Sequence, residues 1–311
     1  MKKILLTSVM VLSATVSWAQ DKLTFVSPFP PGTGSEINIR ILVSAWEKLH
    51  GSGSAMIWNR PGGDGVIAAR AALELAARGQ PVIYAPAAGH MTTMPDEEFT
   101  KLTALVEMTK QPMAVIARKN FPANNWKELI GLMDKQPGKV SVGLASGAVQ
   151  AFAYEIERRN KVTFNKVNYS TMGAGTLPTT TLSSNSIDLF VLPASLAFLE
   201  SYTAVSKIVA ITDTVRITGV EDNIFIGNDP KVGHWLIRTG LFVSKSMDPA
   251  TKQFLNSKLI EIIRSPDVQS KWELKGITVA ANRSVDEYQQ YIVDSRIYWQ
   301  KNKDAILKDY Q

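Results

Sequence analysis

Residues 27 to 40 read SPFPPGTGSEINIR, a stretch whose residue types could hold an anion. Three prolines and two glycines stand between an apolar run (Leu23, Phe25, Val26) and a helical pattern (Ile37, Ile41, Leu42, Ala45, Trp46). Proline fixes φ and removes a donor, whereas Gly32 and Gly34 permit positive φ and close approach of other atoms. Ser35 is the expected N-cap, with Glu36 in the first turn. The free N–H groups of such a helix start carry about half a positive charge, which suits an anion. An ordinary strand-to-helix turn accounts for the same residues.

Other residues with chemical potential lead away from catalysis. In NRPGGDGVIAAR, at 59 to 70, Gly63-x-Gly65-x-x-Ala68 matches a loose dinucleotide fingerprint. A nicotinamide site needs an acid at the end of the next strand, and PVIYA at 81 to 85 offers none. A tight turn with close helix packing is the better reading. His50, His90 and His234 are far apart, there is no cysteine, and no local cluster has metal-ligand spacing. Ser146 in GLASGA lacks the G-x-S-x-G elbow. No Walker loop is present. Neither a catalytic residue, a cofactor nor a metal is expected.

The elements that must position these residues alternate. Strands are expected at 23–27, 55–59, 81–85, 113–117, 140–144, 164–167, 187–192, 208–212, 241–243 and 277–280. Helices are expected at 36–49, 66–77, 126–135, 148–159, 195–202, 249–264 (broken at Ser265-Pro266) and 285–308. Repetition of strand, helix, strand indicates an α/β protein with largely parallel sheets. Asn125 and Asp248-Pro249 are start signals for two of the helices. The order changes after about residue 235. The last helix carries Tyr288, Tyr291, Ile292, Ser295 and Trp299 near one face, a packing stripe.

At 311 residues, 45% hydrophobic and 20% charged, the composition is that of a globular protein of two domains or one large one. Lys2 and Lys3, an apolar stretch from Ile4 to Val16 and Ser17-Trp18-Ala19 form the three parts of a secretory signal over residues 1–19. An exported chain without cysteine has no disulfide and no lipid tether, so a Gram-negative periplasm is the expected location. Without Lys2 and Lys3, 32 of the 34 basic residues face 28 acidic ones, a dispersed net charge of +4. Nucleic acid is not an expected partner. Mild positive charge suits a small anion.

In order along the chain come PFPPGT (28–33), NRPGGDG (59–65), PGKVSVGLASGA (137–148), VNYSTMGAG (167–175), SIDLF (186–190) and IVAIT (208–212). By these motifs, from about Lys22 to the C-terminus, the chain resembles the Bug-type receptors, the periplasmic substrate-binding proteins of tripartite tricarboxylate transporters. The resemblance implies a two-lobed, type II periplasmic-binding-protein-like fold with a ligand cleft between lobes. Lobe I would combine 20–110 with 235–311, and lobe II would be 111–234. It also implies a monomeric, non-catalytic receptor that delivers a small carboxylate to membrane permease subunits. An extracytoplasmic ligand-sensing subunit of a two-component system is the alternative.

By motif position the ligand carboxylate would be pinned by Pro31, Gly32, Thr33, Gly34 and Ser35 in one lobe. Ala145, Ser146, Gly147 and Ala148 would pin it from the other, largely through main-chain N–H groups. Ala87, Thr171 and Leu192 occupy further cleft-side positions, and Arg238 is either a distal charge contact or a surface residue. The chain departs from the family pattern at Thr33, where the family often has a second glycine, and at Ala85-Pro86-Ala87-Ala88 and Leu192-Pro193, where apolar residues replace polar ones. A monocarboxylate with an apolar or aromatic body is therefore expected, because a second buried carboxylate would lack partners.

Overall fold

The computed structural model describes residues 22–144, 147–169, 177–214, 220–233, 235–273, 278–279 and 283–308. Chain order begins β1 (Leu23–Ser27), α1 (Gly34–His50), β2 (Ala55–Asn59), α2 (Val66–Ala77), β3 (Val82–Tyr84), α3 (Ala88–Thr93), α4 (Asp96–Phe99) and β4 (Leu102–Arg118). It continues through α5 (Trp126–Lys135), β5 (Ser141–Leu144), α6 (Gly147–Asn160), β6 (Asn165–Asn168), α7 (Leu177–Ser183), β7 (Leu189–Pro193), α8 (Ala194–Ala197), α9 (Glu200–Thr203) and β8 (Ser206–Ile211). The last elements are β9 (Leu236–Ser244), α10 (Pro249–Ile263), α11 (Pro266–Glu273), β10 (Thr278–Val279) and α12 (Val285–Ile306).

The strands run β2-β1-β3-β9-β4-β7-β5-β6, with β8 and β10 also pairing β4. Parallel pairs (β1 with β2 and β3, β5 with β6 and β7) flank the antiparallel pair β4 and β9. The first half of β4, Leu102 to Pro112, pairs β9, and the second half, Met113 to Arg118, turns to β7 and β8. The result is two α/β lobes with β4 running through both. Helices cover both faces in each lobe, which is why β3 and the core of β4 are nearly continuous apolar runs. One core lies under α1, α10 and α11, another under α2 and α12, and two more lie on the faces of the β5–β8 sheet.

Local signals explain most boundaries. Asn125 accepts from Glu128 N at 3.0 Å, and Asp248 accepts from Thr251 N at 2.8 Å, with Pro249 as the first helical residue. The start of α1 differs from expectation. Thr33, not Ser35, is its N-cap, and the Thr33 hydroxyl donates to Pro30 O at 3.0 Å instead of capping. β4 is 17 residues long against the five expected, because Thr103, Glu107, Thr109, Lys110, Gln111 and Pro112 interrupt its apolar pattern. The expected helix at 195–202 is two short ones, and α3, α4 and α7 were not anticipated.

Candidate ligand-binding cleft

The parallel strands of both lobes end at the cleft, so the helices that follow them start there: α1 and α3 on one side, α6 and α8 on the other. Gly34 opens α1. A Cβ placed on it would lie 3.0 Å from Leu196 Cδ2 and 3.5 Å from Ser195 Oγ, both in α8. Gly147 opens α6, and its Cβ would lie 2.5 Å from Thr93 Cγ2 in α3 and 3.6 Å from the Trp299 ring in α12. Close approach of the lobes is the physical reason for glycine at both helix starts. The two loops singled out by sequence therefore each meet another partner: α1 faces α8, and α6 faces α3.

Three buried polar residues lie on the elements that meet where α1 faces α8: Asn38 in α1, Gln111 in β4 and Ser195 in α8. Ser195 N donates to Gln111 Oε1 at 3.4 Å. Asn38 lies one turn beyond Gly34 on the same helix face. The side-chain nitrogens of Asn38 and Gln111 and the hydroxyl of Ser195 are buried and have no hydrogen-bond partner among the described residues. Each of the three can donate a hydrogen bond. Beside Gln111, Thr109 and Thr239 join their hydroxyls at 2.5 Å across β4 and β9. None of Asn38, Gln111 and Ser195 was singled out by sequence. The available signals were the i, i+4 relation of Asn38 to Gly34 and the strand-end position of Ser195 after Pro193.

The proline-rich turn before α1 is wired to itself. Gly32 N donates to Glu36 Oε2 at 3.0 Å, and the fully buried Glu36 pairs with Arg40 at 2.5 Å. Pro31 and Gly32 are exposed, whereas Thr33 and Ser35 are buried. Glu36 thus uses the Gly32 donor, leaving Gly34 and Ser35 as the helix-start amides nearest α8. The second glycine cluster packs as a tight turn: Asp64 takes φ 48°, and a Cβ on Gly65 would lie 2.7 Å from the Tyr84 hydroxyl. Asp64 accepts from the Thr93 hydroxyl and lies 3.8 Å from His90 Nε2, while His90 Nδ1 accepts from Ala87 N at 3.2 Å. Burial lowers the pKa of His90 despite the opposing charge of Asp64, which favours the neutral ring whose Nδ1 accepts from Ala87 N. His50 stacks on Trp46 with ring centroids 4.2 Å apart. Among the described residues no group of acidic and histidine side chains is placed to hold a metal.

A cavity of about 670 Å³ opens between α3, α6, α12 and the start of β9. Ala87, Gly147, Ala148 and Arg238 line it. Arg238 pairs with Glu107 at 2.5 Å, with 11% and 1% of the two side chains exposed, and lies over the Tyr291 ring at 5.0 Å. Leu192 does not face it. That residue is 3% exposed, sits opposite Ala114 in the β4–β7 ladder and belongs to the core of its lobe. Ala145, Ser146 and Thr171, with His234 and residues 1–21, lie outside the described residues. No described helix is long and apolar enough to cross a membrane.

Comparison with solved structures finds the same fold. The periplasmic binding protein BugD is 21% identical, with a TM-score of 0.74 over 94% of this chain and 99% of that one. Rpa4515 of R. palustris with adipate is 16% identical, with a TM-score of 0.77 over 93% and 98%. MatC of Rhodopseudomonas palustris with bound malate is 20% identical, with a TM-score of 0.73 over 91% and 99%. No curated protein sequence matches. The family model described as "Tripartite tricarboxylate transporter family receptor" matches residues 44–306. With the motif order, the two-lobed fold and this match, the chain belongs to the TctC family of periplasmic solute receptors, which are binding proteins and not enzymes.

Proposed function

We propose that this protein captures a small carboxylate between its lobes and hands the loaded form to the membrane subunits of a tripartite tricarboxylate transporter. One observation carries the reading: Asn38 Nδ2 of α1, Gln111 Nε2 of β4 and Ser195 Oγ of α8 are each buried with no hydrogen-bond partner among the described residues, on elements that meet at the start of α1. A buried unsatisfied donor costs about 1–3 kcal/mol, and a carboxylate that accepts from all three removes that cost three times over. The relatives solved with adipate and with malate give the ligand class.

In this reading Gly34 and Ser35 donate through the main chain beside α8, Gly147 and Ala148 present their main chain to the part of the cleft beside α3, and Ala145, Ser146 and Thr171 complete the second lobe's side. Pro31, Gly32 and Thr33 stiffen the first loop, Leu192 backs the second lobe, and Ala87 and Arg238 wall the cavity. Lobe I comprises 20–110 and 235–311, lobe II comprises 111–234, and the protein works as a periplasmic monomer after loss of residues 1–19. Native mass spectrometry of protein purified from the periplasm tests this together with a thermal-shift panel of small acids, since a ligand bound only by the folded state raises the melting temperature. A co-purifying acid, or stabilisation by one, is expected. No co-purifying acid and no stabilisation by any acid of the panel would overturn the assignment.

A further inference from the structure

We propose that Asp64 is a positioning residue for closure of the lobes, holding Thr93 of α3 in the notch at Gly147, and that protonation of His90 loosens this latch. The proposal rests on the receptor reading above and adds how the closed state is held. Its starting point is the backbone of the second glycine cluster. Gly62, Gly63, Asp64 and Gly65 take positive φ in succession, at 110°, 58°, 48° and 87°. Glycine adopts such angles freely, whereas an L-residue does so at a cost. The side chain that this run retains is a carboxylate, and it is turned toward α3.

Asp64 Oδ2 accepts from the Thr93 hydroxyl, which also donates to Gly89 O at 3.2 Å. A helical threonine divides between two rotamers, because its hydroxyl can bond either of two carbonyls in the preceding turn. The bond to Asp64 selects the rotamer whose methyl meets Gly147, 2.5 Å from where a Cβ would stand. Thr93 thereby fills the space that glycine leaves at the start of α6. His90 lies on the same side of α3. Its Nδ1 accepts from Ala87 N at 3.2 Å, so the neutral ring carries its proton on Nε2, 3.8 Å from Asp64 Oδ1. That oxygen is buried and has no hydrogen-bond partner among the described residues. A proton on Nδ1 removes the cap of a helix only six residues long and sets a cation beside the free oxygen. Asp64 is then drawn to the imidazolium, and Thr93 loses its hold.

The other charges around α3 are committed elsewhere. Arg296 of α12 binds Asp96 and the carbonyls of Met91, Thr92 and Met94, Arg238 of β9 binds Glu107, and Glu155 of α6 binds Arg158 and Arg159. Tyr84 of β3 donates to Gly65 O at 3.1 Å, and the Phe29 ring lies 5.3 Å from the imidazole. Asp64 is the charge that acts on His90. Burial keeps the His90 pKa below the ordinary 6.5 against that charge, so the latch is complete at neutral pH. A ring released from burial binds its proton more readily, and acid therefore favours the unlatched state as pH falls below 6.5.

Calorimetry of the full chain with succinate, adipate and benzoate at pH 7.5 and 5.5, beside hydrogen exchange of the ligand-free protein, tests the latch. Asp64→Gly keeps the left-handed backbone and removes the acceptor. It should weaken the acids that bind by about ten-fold, the loss of one charge-assisted hydrogen bond, and speed exchange at the end of α3 and the start of α6 by a similar factor. Asp64→Asn keeps an oxygen for Thr93 and should stay within about three-fold of the parent in both measurements. His90→Asn places Oδ1 where Nδ1 accepts from Ala87 N and does not titrate. From pH 7.5 to 5.5 the parent should lose about five-fold more affinity than this variant. Asp64→Gly matching the parent in either measurement, or equal pH profiles in the parent and His90→Asn, would overturn the latch and leave the receptor reading standing. If none of the three acids binds, the same comparisons by exchange decide the latch, while native mass spectrometry and the wider thermal-shift panel decide the receptor reading.

Discussion

Gly147 shows how closely one residue can tie the two lobes. Its missing side chain leaves room for Thr93, whose methyl would lie 2.5 Å from an added Cβ. Gly147→Ala should hold the cleft ajar and cost about 1–3 kcal/mol of closure, the usual penalty of overpacking. In titrations with the acid that stabilises the protein best, this reads as roughly a ten-fold or greater loss of affinity. Thr93→Ser removes that methyl and keeps the hydroxyl for Asp64, so adding it to Gly147→Ala should restore most of the loss. No recovery in the double variant would place the defect elsewhere. Arg238 gives a second test at this scale. Its pair with Glu107 is buried, and removing one partner of such a pair costs about 3–5 kcal/mol. Arg238→Ala should lower urea stability by that order, and pairing it with Glu107→Gln should cost less than the sum of the single changes. The turn at Gly32 to Ser35 and the helix start at Gly147 were legible in sequence as backbone geometry, which prolines and glycines mark directly. Asn38, Gln111 and Ser195 were not, since an amide or hydroxyl within a helix or strand carries no local sign of facing a cleft.

α12 is the element that joins the two sides of the cleft. Arg296 donates to the carbonyls of Met91, Thr92 and Met94 at the end of α3 and pairs with Asp96. Nearby on the same helix, Tyr298 reaches Glu155 of α6, and Trp299 packs with Ala151. Burial alone would raise the Glu155 carboxyl. Hydrogen bonds from Arg158, Tyr298 and Arg159 outweigh it and bring the pKa from 4.5 to about 2. A depressed acid stabilises the fold fully above its unfolded pKa, and that stability is lost as pH falls from about 4.5 toward 2. Tyr298→Phe should lower stability at pH 7 by about 1.5 kcal/mol. Glu155→Gln should flatten the acid limb of the melting-temperature profile in that window. A limb unchanged in Glu155→Gln would show that other carboxylates set it. The α12 stripe was legible from its spacing, and it both packs and faces the cavity. β4 was half hidden for a physical reason: Glu107, Thr109 and Gln111, which meet Arg238, Thr239 and Ser195, break the apolar pattern by which a strand is read.

At the scale of the molecule, β4 and β9 cross between lobes that are closed on one another, with α1 against α8 and α3 against α6. Two crossing strands form a hinge and not a wall, so the ligand-free protein should open about residues 109–113 and 235–240. Small-angle scattering should give a smaller radius of gyration with a saturating ligand than without it. An unchanged radius with an acid of confirmed affinity would refute closure. The two-lobed plan was legible from strand-helix repetition and motif order, whereas the pairing of loops across the cleft depends on lobe orientation, which no local pattern encodes.

The place of β9 in the sheet has a further consequence, for how the chain reaches this state. β9 lies between β3 and β4, although Leu236 follows Leu102 by more than a hundred residues. The first lobe cannot complete its sheet until the whole of the second has been made, while β5 to β8 pair among themselves and with the end of β4. Long-range closure is slow and local pairing is fast. The second lobe is therefore the part that can order first, and β1 to β3 wait with an unpaired edge until β9 arrives. That waiting edge is where a chaperone or another unfinished chain would bind.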